Sequence, residues 1–324
     1  MKNNFSFAFF GTTKFSEMIL IYLLKNKMYP KVIFSTPKNF NISYSKTKVN
    51  ISNYGSLKKI AKKFNIQYYE IKSFNQKKTK NFQLKIKKYN LDIMLFIGWY
   101  YIVPKSLRSL AKYGAWGIHA SLLPKYAGGA PLSWAIINGE KKTGVTLFKL
   151  ESGIDNGDII EQKSFFINYD DTINDVYKKA EKISKKMLLN KLKQTHEIKF
   201  TPQKINKIKI YPQRNPDDGQ INWNIDAKGV YDFVRAQTIP YPCAFSNIQN
   251  HSKKIKLLEC KVHNIKDREA KPGEIISKKN KILVKTKNKF IEILKIKVEN
   301  KRYLFKNYVR RNNLIGRHFI SKKN

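Results

Sequence analysis

A chain of 324 residues is longer than one typical small domain and fits two. Its hydrophobic content of 42% and aromatic content of 13% can bury a substantial core, which excludes a disordered chain. The formal charge of +41 excludes an acidic protein and admits two causes: a polyanionic partner, or a Lys- and Asn-heavy composition of the kind an AT-rich genome encodes. Only eight of the 64 basic residues are Arg, which fits composition. Residues 251–324 nevertheless carry 23 Lys and Arg against 6 Asp and Glu, so nucleic-acid contact by the tail stays open. Residues 1–10 lack the charged start, long apolar run and small-residue cleavage site of a secretory signal. No stretch reaches the roughly 18 apolar residues a membrane helix needs. Cys243 and Cys260 are too few for a disulfide framework. The expected setting is the cytosol, with no membrane contact.

In chain order, residues 5–10 (FSFAFF) read as a buried strand that stops at Gly11. Residues 14–25 carry Phe15, Met18, Ile19, Tyr22 and Leu23 at helical spacing. Residues 31–35 read as a second strand and 56–64 as a helix. A further strand falls near 67–71, and residues 91–97 (LDIMLFI) form another that ends at Gly98. Apolar strands alternating with helices predict an open, mostly parallel α/β sheet with helices on both faces. Residues 39–53 are polar, without period, and read as a long surface loop. A Lys-rich helix is expected over about 171–194, then a Pro-containing linker over 201–224. A helix over 226–237 starts from an Asp226 cap. Beyond Pro242, Lys alternates with aliphatics, as in 281–299 (KILVKTKNKFIEILKIKVE), and predicts a small open antiparallel β-barrel, OB-like. The expected division is a first domain over 1–200, a linker over 201–225 and a second domain over 226–324.

The chemically informative segment is 114–160. A strand of small and apolar residues delivers His119 to the C-terminal edge of the sheet, where ligands of open α/β sheets bind. Gly128 and Gly129 form a loop whose backbone amides can approach a ligand closely. Pro131 opens a helix over 132–137. A strand over 144–150 leads to SGIDNGD, an acidic turn bearing Asp155 and Asp158. An imidazole and a carboxylate on facing loops can do acid–base work, although a lone core histidine and plain turn aspartates have the same appearance.

GIHASLLPKYAGGAPLSWAIING followed by TGVTLFKLESGIDNGDII resembles the signature of the folate-dependent formyltransferases. In that family a strand ends in Asn-x-His, followed by SLLP, a basic–aromatic pair, a Gly-rich turn, Ala-Pro and a later D-x-G turn. FFGTTKFSEMILIYLL resembles the family's first strand and helix. The tail over 215–317 resembles the open barrel that follows the catalytic domain in the methionyl-tRNA enzymes and, equally, in the enzyme that formylates UDP-4-amino-4-deoxy-L-arabinose. The resemblance implies 10-formyltetrahydrofolate as co-substrate, no metal, and His119 with Asp155 as the catalytic pair. It implies that Phe96, Ile97, Gly98, Trp99, Ser121, Leu122, Leu123, Pro124 and Asp155 border the folate. It implies Gly11, Thr12, Lys125, Tyr126, Gly128, Gly129 and Arg214 on the acceptor side. Two positions depart from the pattern: Gly117 stands where the family has its catalytic Asn, and Ala127 where relatives carry Arg.

The acceptor is expected to be a nucleotide-linked amino sugar, with initiator Met-tRNA as the alternative. Residues 36–56 lack the Arg- and Gly-rich run that resembles tRNA contacts, and 214–219 (RNPDDG) resembles the sugar enzymes, whose matching Arg lies near phosphates. A catalytically degenerate RNA-binding homologue is the outside reading. His119, His196, His251, His263 and His318 are scattered without metal-ligand spacing. No G-x-G-x-x-G follows the first strand, which disfavours a nicotinamide cofactor.

Overall fold

A computed structural model describes residues 5–40, 49–51, 53–72, 76–194, 197–204, 209–265 and 269–322. The chain packs as two compact units. One comprises residues 1–128, 144–165 and 179–210; the other comprises 129–143, 166–178 and 211–324.

The first unit is built on a seven-stranded sheet. Its order is Ile159–Phe166, Lys142–Lys149, Ala115–His119, Ile93–Ile97, Phe7–Gly11, Val32–Ser35 and Tyr68–Glu70. Pairing is parallel from Ala115–His119 out to Tyr68–Glu70, and antiparallel where Lys142–Lys149 joins Ala115–His119. The central strands Phe7–Gly11 and Ile93–Ile97 read as unbroken apolar runs because they are buried on both faces, whereas the edge strands Ile159–Phe166 and Tyr68–Glu70 keep exposed residues. Alternate residues mark the two faces. On one, Phe10 stacks on Phe34 at 4.6 Å and on Phe96 at 4.1 Å between centroids, with Trp99 edge-on to Phe10 at 5.6 Å. These rings are register neighbours across adjacent strands, so the stack follows from pairing. The helix Lys14–Lys25 buries Ile19 and Leu23 of the expected stripe together with Leu20 and Leu24, while Phe15, Met18 and Tyr22 stay half-buried, so the buried face is rotated from the one the spacing marks. It starts with a reciprocal Thr13–Ser16 capping box.

The helix Gln76–Lys87 has no counterpart among the expected elements, because its Lys-rich sequence shows a weak apolar stripe; Ile86 is its buried anchor among the described side chains. Of the expected loop over 39–53, Asn39–Phe40 pairs with Val49–Asn50, and 41–48 and 52 lie outside the described residues. The expected linker is not a plain tether at its start. Thr201 and Ile159 exchange backbone hydrogen bonds of 2.9 and 2.8 Å, which lays 201–203 beside the turn that bears Asp155. Residues 205–208 lie outside the described residues, as do His196 and Arg268.

The second unit contains an antiparallel sheet in the order Ala244–Ser246, Ile255–His263, Phe290–Val298, Lys281–Lys285, Ile275–Lys278. Lys301–Leu304 pairs with the far half of Phe290–Val298, giving the curled, open-barrel arrangement. The alternating run over 281–299 is two of these strands joined by a turn that Thr286 and Lys289 close. Its aliphatic face meets Trp223, Val230, Phe305 and Phe319 in one core. The helix Ala227–Arg235 begins at Asp226, whose side chain accepts from the Gly229 amide. No described helix is long and apolar enough to cross a membrane.

Candidate active site

His119 is the last residue of its strand and is 8% exposed. Its Nδ1 lies 3.3 Å from Asp155 Oδ2, and its Nε2 lies 2.8 Å from the Tyr126 carbonyl oxygen. Both ring nitrogens therefore face acceptors, and the imidazolium form alone donates to both. Asp155 Oδ2 also accepts from the Gly128 amide at 2.8 Å. Asp155 (φ 50°) and Tyr126 (φ 58°) are both left-handed, a conformation that non-glycine residues adopt at a cost and that marks a held site. The carboxylate is the outward member of the pair, with 22% of its side chain exposed against 9% for the imidazole.

The SLLP segment is fastened from the neighbouring strand. Thr146, fully buried, donates through its hydroxyl to the Ser121 carbonyl at 2.7 Å and accepts from the Leu123 amide at 3.2 Å. Gln162 donates to the Leu123 carbonyl and to Thr146 Oγ1 at 3.0 and 2.9 Å. Ser121 is buried and donates to the Lys125 carbonyl at 2.6 Å; Lys125 itself is exposed. Leu123 is buried, and Leu122 and Pro124 keep partial exposure. At the next strand end Phe96 and Ile97 are buried, while Gly98 and Trp99 are half-exposed. Gly98 is left-handed (φ 56°), and a Cβ there would sit 2.2 Å from Thr13 Oγ1, so glycine is required.

Several residues expected on the acceptor side are placed otherwise. Thr12 is fully buried, and its amide is bonded to Ser16 Oγ at 3.1 Å; a Cβ on Gly11 would meet Ser16 Cβ at 2.5 Å. Both belong to the interior of the first unit and present no surface. The amides of Gly128 and Gly129 do not face outward either. Gly128 donates to Asp155, and Gly129 donates to the Tyr211 carbonyl at 2.8 Å. Gly129 is glycine because the Gln213 backbone approaches within 2.5 Å of where its Cβ would be. In the second unit Arg214 lies over the rings of Trp134 and Phe233, 4.8 and 5.5 Å from their centroids. Its Nη2 donates to the Asp218 carbonyl and to Gln237 Oε1, both at 2.7 Å. Burial lowers its pKa from the usual guanidinium range, with Asp218 opposing.

Gly117, two residues before His119, shares its strand face. A Cβ there would lie 2.8 Å from Leu150 Cδ2 and 3.2 Å from the Phe148 ring, so the space of the family Asn is taken. The sequence carried no signal for Gln203. Its Nε2 donates to the carbonyls of Asp155 and Gly157, next to the Thr201–Ile159 bridge.

An imidazole paired with a carboxylate at the carboxyl edge of an open α/β sheet is the arrangement of acid–base transfer enzymes. The formyl transferase family model matches residues 7–192, and the formyl transferase C-terminal domain model matches 214–312. The chain belongs to the formyltransferase family and is a formyltransferase. It is 36% identical over 228 residues to the methionyl-tRNA formyltransferase of Thermodesulfovibrio yellowstonii, covering 70% of this chain and 72% of that one. It is 34% identical over 248 residues to the bifunctional polymyxin resistance protein ArnA of Wigglesworthia glossinidia brevipalpis, covering 74% of this chain and 36% of that protein. The solved structure of WlaRD, a sugar 3N-formyl transferase, superposes with a TM-score of 0.61 at 20% identity, over 93% of this chain and 100% of that one, a likeness of fold.

Proposed function

We propose that this chain transfers the formyl group of 10-formyltetrahydrofolate to the amine of methionyl-tRNA, with His119 and Asp155 as the catalytic pair. The observation that carries the reading is the pairing of a nearly buried imidazole with a left-handed aspartate, delivered from two different strand ends. The half-exposed Gly98, Trp99, Leu122 and Pro124, next to Asp155 in the family pattern, suit a flat, partly apolar pterin. Bound there, 10-formyltetrahydrofolate supplies an activated formyl carbon. As an imidazolium, His119 would hold positive charge beside the developing oxyanion, while the new amine–carbon bond forms, the bond from the formyl carbon to N10 breaks, and the proton the amine gives up passes to N10 of the leaving tetrahydrofolate. In the resting geometry the Nε2 proton is spent on the Tyr126 carbonyl, so a formyl oxygen competes with that carbonyl for it. Asp155 orients the ring through Nδ1, as base-orienting carboxylates do.

Three observations favour the tRNA over the amino-sugar nucleotide expected from residues 214–219. The donors on Arg214 Nη2 are engaged by the Asp218 carbonyl and Gln237 Oε1, and its guanidinium carbon lies 4.8 Å from the Trp134 ring centroid, which commits part of its donor set away from a diphosphate. In the second unit Lys256, Lys297 and Arg302 are direct register partners on three adjacent strands. Like charges set opposite one another destabilise a sheet, and a phosphate backbone relieves them. The relative at 36% identity over most of both chains carries the methionyl-tRNA name.

A turnover assay with 10-formyltetrahydrofolate tests this, offering Met-tRNA and a panel of 4-amino-sugar nucleotides in parallel. Formylation of Met-tRNA is expected, with losses of about 10²- to 10⁴-fold in His119→Ala and Asp155→Asn while both stay folded. Wild-type turnover in either variant refutes the catalytic pair; formylation of a sugar nucleotide instead refutes the acceptor.

A further inference from the structure

Resting on the reading of Asp155 as the carboxylate that orients His119, we infer that Gln203 is a positioning residue for the site: its side-chain amide clamps the turn that carries Asp155. Nε2 of Gln203 donates to the Asp155 carbonyl at 2.8 Å and to the Gly157 carbonyl at 2.7 Å. A primary amide has two N–H bonds on one nitrogen, so a single atom satisfies both carbonyls, one on each side of Asn156. A hydroxyl has one proton to give, and a carboxylate has none when ionised.

The turn has reason to need a clamp. Asp155 sits at φ 50°, a left-handed conformation that Asp tolerates better than most residues but that still costs more than the common regions. At Gly157 a Cβ would fall 1.8 Å from the Lys149 carbonyl oxygen, so the turn passes too close to the neighbouring strand to relax toward it. Left without the amide, the backbone at 155 would drift toward commoner conformations and carry Oδ2 away from His119 Nδ1.

The orientation of the amide is decided by its partners, because a flipped Gln203 would set its oxygen against two carbonyl oxygens. That orientation leaves Gln203 Oε1 buried without a hydrogen-bond partner among the described residues. An orphaned acceptor is costly, and a residue serving stability alone would not favour it. The Thr201–Ile159 bridge holds the side chain in reach, which gives the start of the expected linker, itself part of the first unit, a part in that unit's chemistry.

The test uses the full chain with Gln203→Ala and Gln203→Glu, each made alone and together with Asp155→Asn. Amide hydrogen exchange over residues 152–158 should speed at least about 10-fold in both single variants while the helix Lys14–Lys25 stays unchanged. The kcat should fall about 10- to 100-fold with KM for the formyl donor within about threefold. On the Asp155→Asn background the further loss should be under about twofold, since a residue acting through Asp155 has nothing left to position. Unchanged exchange, or equal fold losses with and without Asp155, would overturn the clamp. Absence of formyl transfer in the wild-type chain would instead sink the proposed reaction, and exchange alone would then decide the role of Gln203.

Discussion

Replacing Gly117 by Asn probes how the site was rebuilt around the missing side chain. The new Cβ would lie 2.8 Å from Leu150 Cδ2 and 3.2 and 3.4 Å from Phe148 Cε1 and Cζ. Phe148 is 3% exposed and packed with Leu123 and Ala127, so it has little freedom to yield. Leu150 is half-buried and can rotate its terminal methyl aside. Overpacking of this kind costs about 1–3 kcal/mol. Replacing the strand glycine returns under about 0.5 kcal/mol, because the gain over glycine is largely lost with Asn, itself depleted in strands. The net is a destabilisation of about 1–2 kcal/mol, or about 4 °C in Tm for a domain of this size. In a Leu150→Ala background the shortest contact is gone, and the same substitution should cost under about 0.5 kcal/mol, a coupling of about 1 kcal/mol. Urea unfolding of the four proteins gives both numbers. Turnover should rise only in the double variant, by up to about 10²-fold, if the added amide then reaches a formyl oxygen. A Gly117→Asn protein as stable as wild type, or a cost equal in both backgrounds, would refute the argument that Leu150 occupies the vacated space.

Other outcomes follow from the same contacts. Thr146→Val keeps the shape but strips the hydroxyl from Ser121, Leu123 and Gln162; about 2–4 kcal/mol of stability and a raised KM for the formyl donor are expected, and an unfolding midpoint unmoved in urea would contradict it. Asp232→Ala leaves the buried Arg235 without the carboxylate 2.7 Å from its Nε and should cost about 3–5 kcal/mol, read by chemical denaturation; a cost under about 1 kcal/mol would show the guanidinium re-solvated. Burial pushes the Cys260 thiol up to about 12, with Glu259 and Asp232 adding to it. A thiol raised in the folded state adds stability that is complete below the unfolded value near 9 and is lost as pH climbs toward 12. Denaturation midpoints should therefore fall between pH 9 and 11, less so in Cys260→Ala, and a disulfide reagent at pH 8 should reach this thiol only on unfolding.

Much of this architecture is written locally. Phe7–Gly11 and Ile93–Ile97 are legible as apolar runs ending in glycine because strands buried on both faces have no polar alternation to hide them. The helix Ala227–Arg235 shows its Asp226 cap, and the barrel strands show their Lys–aliphatic period. Gln76–Lys87 is hidden for the converse reason: five Lys and four other polar residues among its twelve positions blur its period, and burial of Ile86 is conferred by the sheet beneath. His119 and Asp155 could be singled out because each sits in a short, recognisable string beside a turn.

What the string could not say is what lies opposite. Gly117 reads as a lost donor in one dimension. In the fold it faces Phe148 across an antiparallel pair, and ring and leucine methyl fill the gap. Gly128 and Gly129 read as amides open to a ligand, whereas Asp155 and Tyr211 have already claimed them. Arg214 reads as a phosphate grip until Trp134, Phe233 and Gln237 close on it. Gln203 sits in what looks like a linker, 48 residues from its partner. The sequence by itself determined most strand and helix periods and the family's catalytic string, which depend on neighbours within a turn or two. Strand register and long-range closure alone decided which donors meet which acceptors, because hydrogen bonds are satisfied by proximity in space, and no local pattern encodes the partner's address.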